Sequence, residues 1–170
     1  MAALTKNELI ASLQNEVRIL LHLASKIEPP MLDYRPTPKQ RSTIELLRYL
    51  VVMGPELVKG IKSGGFNMES WSAAKAQAEA ADFEQILALI GKQPEQYQSL
   101  LGDMSDEDLR GEIEMFGRRS SRGPIIVNMV LCGCAAYRTQ LFLYLKACGR
   151  EELSTMNLWG GVDAPAPQPA

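Results

Sequence analysis

PIIVNMVLCGCAAYRTQLFLYLKACG, residues 124–149, carries only two charges, Arg138 and Lys146, and predicts one long helix. Proline is favoured at the first position of a helix and glycine just after the last, so Pro124 and Gly149 mark its ends. At 1.5 Å per residue the helix is about 39 Å long. A mostly apolar helix in a globular chain should be buried on most sides, so we predict that it is the central member of a helical bundle.

Length and composition suit one globular domain. The chain has 170 residues, of which 46% are hydrophobic and 22% are charged, and this is ordinary for a protein with a sizeable core. A net charge of −2 gives no electrostatic reason to bind nucleic acid or an anionic membrane surface. A helix that spans a bilayer needs about 18 to 20 consecutive apolar residues. Arg138 and Gln140 end the apolar run before it reaches that length. The N-terminus lacks the apolar region of a signal peptide, so we predict a cytoplasmic protein without nucleic-acid or membrane partners.

Apolar residues at helical spacing predict three further helices. The first covers residues 6–28 and the second begins after Ser42, each preceded by a serine or threonine that forms a capping box with a glutamate. Gly54 and Pro55 interrupt the second pattern, and Glu56–Lys62 is predicted to continue it for a further turn or two beyond a kink. The third covers 83–101 and is predicted to be kinked or split at Pro94. The connection Met31–Arg41 is too rich in proline to be helical. With no convincing strand, the predicted fold class is all-α, a four-helix bundle with a long connection between helices one and two.

The other segments have weaker patterns. Phe66–Ala81 fits a partly helical connection, and Gly111–Gly123 is predicted to be irregular. Leu153–Trp159 contains apolar residues that are predicted to dock on the bundle. APAPQPA at residues 164–170 cannot form a core. We therefore predict one domain over residues 1–163 and a disordered tail over 164–170.

Three cysteines and one histidine are the candidate reactive side chains. Cys132, Cys134 and Cys148 all lie in the apolar helix, which predicts reduced and buried thiols. Residues two apart on a helix point about 200° apart, so Cys132 and Cys134 cannot hold one metal ion together. His22 lies on the polar face of the first helix, where we predict exposure to solvent rather than a ligand role.

Three arginines lead into the long helix. Arg118, Arg119 and Arg122 precede Pro124, so positive side chains stand next to the positive end of a helix dipole. This combination suits a carboxylate or a phosphate, which makes the three residues a candidate anion-binding site. A solvated basic turn is the alternative.

Two stretches resemble motifs of the DinB/YfiT-like family, small bacterial four-helix proteins of which many are predicted metalloenzymes with three histidine ligands. Tyr34–Leu50, YRPTPKQRSTIELLRYL, resembles the entry to the family's second helix, and Tyr49 stands in the place of a histidine. Gly133–Leu145, GCAAYRTQLFLYL, resembles the family's last helix, and Gly133 and Tyr137 stand in the places of the other two histidines.

The resemblance implies a four-helix fold over most of residues 5–150 and a site at Tyr49, Gly133 and Tyr137. Glycine has no ligand atom, and neutral phenols with a pKa near 10 are poor metal ligands. We therefore predict no metal and no cofactor. The three residues are predicted to line a vestigial pocket that binds a small molecule or nothing. Alternatively, Gly133 only allows close helix packing and both tyrosines are core residues.

The sequence leaves more than one function open. A non-catalytic DinB-like protein that binds a small ligand is the first prediction, because the metal triad is absent. The alternative is a thiol-dependent transferase or isomerase, an activity that the resemblance implies for some relatives, in which Cys132 or Cys134 would need a stabilised thiolate. A partner-binding module would use exposed residues of Leu153–Trp159. The resemblance and this apolar segment also lead us to expect a homodimer.

Overall fold

The structure, a computed structural model, describes residues 4–165 and is mostly helical. In chain order the helices are α1 Lys6–Ala24, α2 Thr43–Ser63, α3 Met68–Ala80, α4 Phe83–Gly91, α5 Gln93–Leu101, α6 Asp106–Arg110 and α7 Arg122–Ala147. Strands β1 Glu112–Met115 and β2 Arg118–Ser121 form an antiparallel hairpin between α6 and α7. Short helical turns cover Pro29–Met31 and Met156–Gly160.

Side-chain caps set the ends of the first helix. The predicted capping box of Thr5 and Glu8 is present at its start. At its end, the hydroxyl of Ser25 donates to the carbonyl of His22 at 2.7 Å. The helix therefore ends at Ala24 and not near residue 28 as predicted, because the Ser25 side chain takes a carbonyl of the last turn and the prolines that follow disfavour helical geometry.

The core lies where α1, α2, the α4–α5 pair and α7 pack together. Each of these elements contributes side chains with no exposed surface, among them Leu13, Leu47, Ile90 and Val130. The predicted break near Pro94 is confirmed, since α4 ends at Gly91 and α5 begins at Gln93. The break lets two short helices cover the length of one long one.

A proline lies inside α2 without ending it. Pro55 has no N–H to donate to the carbonyl of Val51, four residues earlier. The amide of Gln93, 2% exposed at the start of α5, replaces that donor. Its Nε2 donates to the carbonyl oxygens of Leu50 at 2.8 Å and of Val51 at 3.1 Å. One side chain therefore satisfies the orphaned carbonyl and ties α5 to α2.

We expect Gln93→Leu to lower the free energy of unfolding by about 1–2 kcal/mol, because it leaves the partly buried Val51 carbonyl without a donor. In a Pro55→Ala background the restored N–H can donate to that carbonyl, so the same change should cost less than about 1 kcal/mol. Urea unfolding of the four proteins measures both costs. Equal costs in the two backgrounds would contradict this role for Gln93.

The hairpin shows that the predicted irregular connection at Gly111–Gly123 is wrong. Phe116 and Gly117 join the strands with φ of 53° and 72°, as a type I′ turn requires. In β1, Ile113 and Met115 are buried while Glu112 and Glu114 are exposed. With two apolar positions in β1 and none in β2, strands of four residues carry too little periodic signal to be recognised in the sequence.

The long helix is less buried than predicted. By length and composition α7 could cross a membrane, with a mean hydropathy of 1.4 over 18 residues, but only 33% of that stretch is buried. A wider π-helical turn interrupts it at Val127–Leu131. One face, which includes Arg138, packs on α1 and α2, whereas Cys132 and Leu143 face solvent. The prediction of burial on most sides is wrong because neighbouring helices contact α7 from one side.

The segment after α7 folds back across α1. Leu153 and Asn157 are buried, and the turn Met156–Gly160 contacts α1. Leu153 therefore docks on the helices as predicted, whereas Trp159 is 68% exposed. Most of the predicted disordered tail, residues 166–170, lies outside the described residues.

Candidate functional site

The structure brings Tyr49, Gly133 and Tyr137 together between α2 and α7. The two tyrosine rings meet edge to face, with centroids 5.1 Å apart and planes inclined at 67°. Gly133 and Tyr137 are one turn apart on the same face of α7. All three residues line one cavity of about 360 Å³. The predicted proximity is present, and a ligand-binding role for the three residues stays a prediction.

Uncharged side chains form this cavity, which we name the Tyr49–Tyr137 pocket. Its wall consists of Tyr49, Met53, Leu57, Asn128, Met129, Cys132, Gly133, Ala136 and Tyr137. A Cβ atom added at Gly133 would lie 3.3 Å from Cε of Met53 and 3.6 Å from its sulfur. The flexible Met53 side chain therefore fills the space in front of the glycine.

The Tyr49 phenol is held in its neutral form. Its pKa is raised to about 12, first by burial and then by the adjacent Tyr137 hydroxyl, while Arg41 opposes the shift. A phenol binds metal as phenolate, which this environment disfavours. Within residues 4–165, no three His, Cys, Asp or Glu side chains gather into a group that could hold a metal ion. The residues at this locus do not fit the metal that the family resemblance implies.

The three free cysteines differ in environment. Cys132 is exposed on α7 and Cys148 is only partly buried, so the prediction of buried thiols is wrong for these two residues. Cys134 points inward, where burial raises its pKa to about 12 with a further contribution from the Glu16 carboxylate. Burial also raises the pKa of Cys148. Because a thiol reacts as thiolate, Cys134 is an unreactive neighbour of the core.

We expect iodoacetamide at pH 7.5 to alkylate Cys132 readily and Cys134 at least about 100-fold more slowly, because the Cys134 thiol is buried and protonated. Peptide mapping by mass spectrometry over a time course measures both rates in the native protein. Denatured protein is the control, in which the two rates should converge. Rapid and saturable alkylation of native Cys134 would contradict the expectation.

His22 lies beneath the C-terminal segment and not in solvent. Its Nε2 is 3.1 Å from Nδ2 of Asn157 and 3.6 Å from the Asp163 carboxylate, and its side chain is 16% exposed. Burial and then Lys26 lower the pKa of His22, while Asp163 opposes the shift. The predicted exposure of His22 is wrong because the turn Met156–Gly160 covers the polar face of α1.

The three arginines of the candidate anion site do not converge. Arg119 pairs with Glu112 across the hairpin at 2.8 Å. Nε of Arg122 donates to the carbonyl of Ile61, in the last turn of α2, at 3.0 Å. Arg118 precedes Arg119 in a strand, where successive side chains lie on opposite faces. One guanidinium group thus links the two strands of the hairpin and another ties the start of α7 to α2, and anion binding by the three residues stays a prediction.

A buried ion pair joins α1 to α7. Nε of Arg138 donates to Oε2 of Glu16 at 2.8 Å, and its Nη2 donates to Oε1 at 3.3 Å. The side chains are 3% and 13% exposed. The Trp159 ring covers the guanidinium group, with 5.4 Å from Cζ to the ring centroid. No local pattern predicts this pair, because Glu16 and Arg138 are far apart in the chain.

A second cavity, between α2 and α3, is also absent from the sequence prediction. It has a volume of about 620 Å³ and shares Tyr49 with the first pocket. Arg41, Arg48 and Trp71 contribute to its wall. In the sequence each of these residues has an ordinary surface or core interpretation, and only the packing of α3 on α2 brings them together.

Comparisons with known proteins identify the fold. The chain matches no protein-family model and no curated protein. It is similar to the crystal structure of the DinB-like protein YjoA from Bacillus subtilis, with a TM-score of 0.67 and 22% identity over 86% of this chain and 95% of that one. It is also similar to a protein from Exiguobacterium sibiricum described as a DinB-family member, with a TM-score of 0.66 and 22% identity over 88% and 95% of the two chains. The chain therefore has the fold of DinB-like proteins.

Proposed function

We propose that this protein is a DinB-like four-helix bundle that lacks the metal site of its relatives and binds a small, mostly apolar molecule in the Tyr49–Tyr137 pocket without catalysis. Helices α1, α2, the α4–α5 pair and α7 correspond to the four helices of the bundle. Residues 25–42 form the long connection between the first two. The common core of these elements and the likeness to two DinB-like structures support this assignment.

The pairing of Tyr49 and Tyr137 beside Gly133 is the observation that carries the proposal. A volume of about 360 Å³ lies within the range of small-molecule sites. The wall is mostly apolar, and the hydroxyls of Tyr49 and Tyr137 with the amide of Asn128 offer hydrogen bonds that can orient a ligand. With a pKa of about 12, Tyr49 can donate a hydrogen bond but is not a base at neutral pH. These features favour binding over catalysis.

A thermal-shift screen of thiols, carboxylates and apolar compounds tests the proposal. We expect at least one compound to raise the melting temperature of the wild-type protein but not of Ala136→Phe, which fills the pocket. Thr139→Phe is the matched control, since it adds the same side chain at an exposed position of α7 outside the pocket. If no compound distinguishes the wild-type protein from Ala136→Phe, the tyrosines are core residues only.

We expect the purified protein to bind no stoichiometric zinc, nickel or iron at this locus, because a transition-metal site needs about three nitrogen, sulfur or carboxylate donors. The triple change Tyr49→His, Gly133→His, Tyr137→His should create a zinc or nickel site once Met53 moves aside. Elemental analysis of both proteins measures bound metal.

Each half of this prediction can be contradicted by a specific result. One equivalent of metal in the wild-type protein that disappears on Tyr49→Phe with Tyr137→Phe would contradict the first half. A folded triple variant without metal would contradict the correspondence of Tyr49, Gly133 and Tyr137 to the histidines of the family.

A thiol-dependent transferase or isomerase is the alternative function. The exposed thiol of Cys132 in the pocket wall favours it. A reactive thiol usually has a cation or a base beside it, whereas none of the nine wall residues is charged. For this reason we prefer the non-catalytic function. Loss of a measured transferase activity on Cys132→Ser would reverse the preference.

The homodimer and the cytoplasmic location stay predictions. The solvent-facing side of α7 carries apolar residues, including Leu143 with 58% exposure. A second copy of the chain would cover this face and remove it from water. Sedimentation velocity checks the homodimer, and a monomer mass that does not change with concentration would contradict it.

A further inference from the structure

The second cavity, which we name the α2–α3 cleft, combines positive charge with aromatic rings. Its wall contains the cations Arg41, Arg48 and Lys75 and the rings of Tyr49 and Trp71. Its volume of about 620 Å³ lies within the range of small-ligand sites. It is distinct from the Tyr49–Tyr137 pocket, because the two share Tyr49 alone.

Two guanidinium groups in the cleft lack counter-charges. Among residues 4–165, neither Arg41 nor Arg48 has a carboxylate within 4.0 Å. Arg48 is held in place by donation from Nη2 to the carbonyl of Ala81 at 3.0 Å. Its buried Nε has no acceptor within the same part of the chain. Buried charged donors without acceptors are costly, so an anion beside Arg48 would compensate its charge.

The two carboxylates of the cleft wall are already engaged. Glu45 accepts from the backbone N–H of Ser42 at 2.7 Å and from Arg35 at 3.1 Å. Glu79 lies 3.4 Å from Lys75. Lys75 is compensated by Glu79 and Glu45 by Arg35 outside the wall, so Arg41 and Arg48 are the uncompensated cations of the wall. The carboxylates of Glu45 and Glu79 nearby repel a dianion more than a monoanion.

The aromatic residues define where the body of a ligand would lie. Cζ of Arg41 is 4.0 Å from the centroid of the Tyr49 ring, so the cation is fixed over an aromatic face. Trp71 meets Tyr49 edge to face, with centroids 6.2 Å apart, and is only partly buried. A planar apolar group in the cleft can therefore pack against Trp71.

We propose that the α2–α3 cleft binds an aromatic carboxylate, with the carboxylate at Arg41 and Arg48 and the ring against Trp71. The planar fork of a guanidinium group matches a carboxylate in two parallel hydrogen bonds. The wall carboxylates Glu45 and Glu79 would repel a doubly charged phosphate ester more than a carboxylate, which favours the carboxylate. This site is independent of the function proposed for the Tyr49–Tyr137 pocket.

Isothermal titration calorimetry with trans-cinnamate, its neutral amide trans-cinnamamide and phenyl phosphate tests the proposal. We expect cinnamate to bind with a Kd below about 1 mM and the amide at least about tenfold more weakly. Arg41→Gln and Arg48→Gln should each weaken cinnamate binding about tenfold, and Arg41→Lys should weaken it less, because it keeps the charge but loses the fork. Arg41 is exposed, so its variants test the site even if Arg48→Gln does not fold.

Two control variants separate this site from others. Arg118→Gln removes an exposed arginine outside the cleft, and Ala136→Phe fills the Tyr49–Tyr137 pocket. Both should bind cinnamate as the wild-type protein does. The proposal is overturned if cinnamate gives no binding heat, if the amide binds equally well, or if the Arg41 variants keep full affinity. Tighter binding of phenyl phosphate than of cinnamate would contradict the carboxylate class.

Discussion

Glu16→Leu is expected to lower the free energy of unfolding by about 3–5 kcal/mol, because it leaves a buried guanidinium group without its counter-charge. Arg138 is 3% exposed, and its Nη1 already has no acceptor among the described residues. Removal of the Glu16 carboxylate would take away the acceptor of both remaining hydrogen bonds. Urea unfolding measures the loss, and an unchanged denaturant slope would show that the cost lies in the folded state.

Two further variants separate the ion pair from the packing around it. Glu16→Leu with Arg138→Met replaces both charges by apolar groups and should recover most of the stability. Glu112→Gln removes one partner of the exposed pair with Arg119 and should cost less than about 1 kcal/mol. A Glu16→Leu cost as small as this surface control would contradict the role of the buried pair.

Gly54→Ala should cost about 3 kcal/mol of stability, although alanine is favoured over glycine in helices by about 1 kcal/mol. A Cβ atom at position 54 would lie 1.9 Å from the hydroxyl oxygen of Tyr97 and 3.1 Å from its Cζ. Tyr97 has no exposed surface, so its ring cannot move aside without disturbing the core. Thermal and urea unfolding of the variant measure the loss.

Tyr97→Phe should relieve much of this cost, because it removes the atom that clashes. The Tyr97 hydroxyl is buried and has no hydrogen-bond partner in the described part of the chain. The single change Tyr97→Phe should therefore be neutral or slightly stabilising. Gly91→Ala is the matched control, since a Cβ atom there meets nothing within 4 Å. Equal costs of Gly54→Ala with tyrosine and with phenylalanine at position 97 would rule out the clash.

The predictions from sequence succeeded where the signal is local. Capping boxes at Thr5 and Ser42 lie within four residues of the helix starts that they set, and the proline at position 94 acts on its own helix. The mostly helical fold followed from these helices together with the DinB resemblance. The Tyr49, Gly133 and Tyr137 cluster was predictable because the resemblance supplied the positions and helix geometry placed two of them on one face.

The predictions failed where distant segments decide the outcome. Composition shows that α7 is apolar, but it does not show which of its faces other helices cover. The helical pattern predicts that His22 is exposed to solvent, but the turn Met156–Gly160 covers it. The α2–α3 cleft depends on Arg41, Arg48 and Trp71, and their spacing along the chain does not indicate that they share a site. In each case tertiary packing overrides a local pattern that is correct by itself.

Because the C-terminal segment packs across α1, the order of protein synthesis limits when α1 can complete its contacts. His22 and Asn157, which contact each other, are 135 residues apart in the chain. At about 5–20 residues per second, a ribosome needs roughly 7–27 s to make the second after the first. During that interval one face of the first helix is uncovered, and for most of it the Glu16 carboxylate lacks its partner Arg138. The contacts of the first helix with Arg138 and Asn157 can therefore form only after those two residues have been synthesised, well after the helix itself.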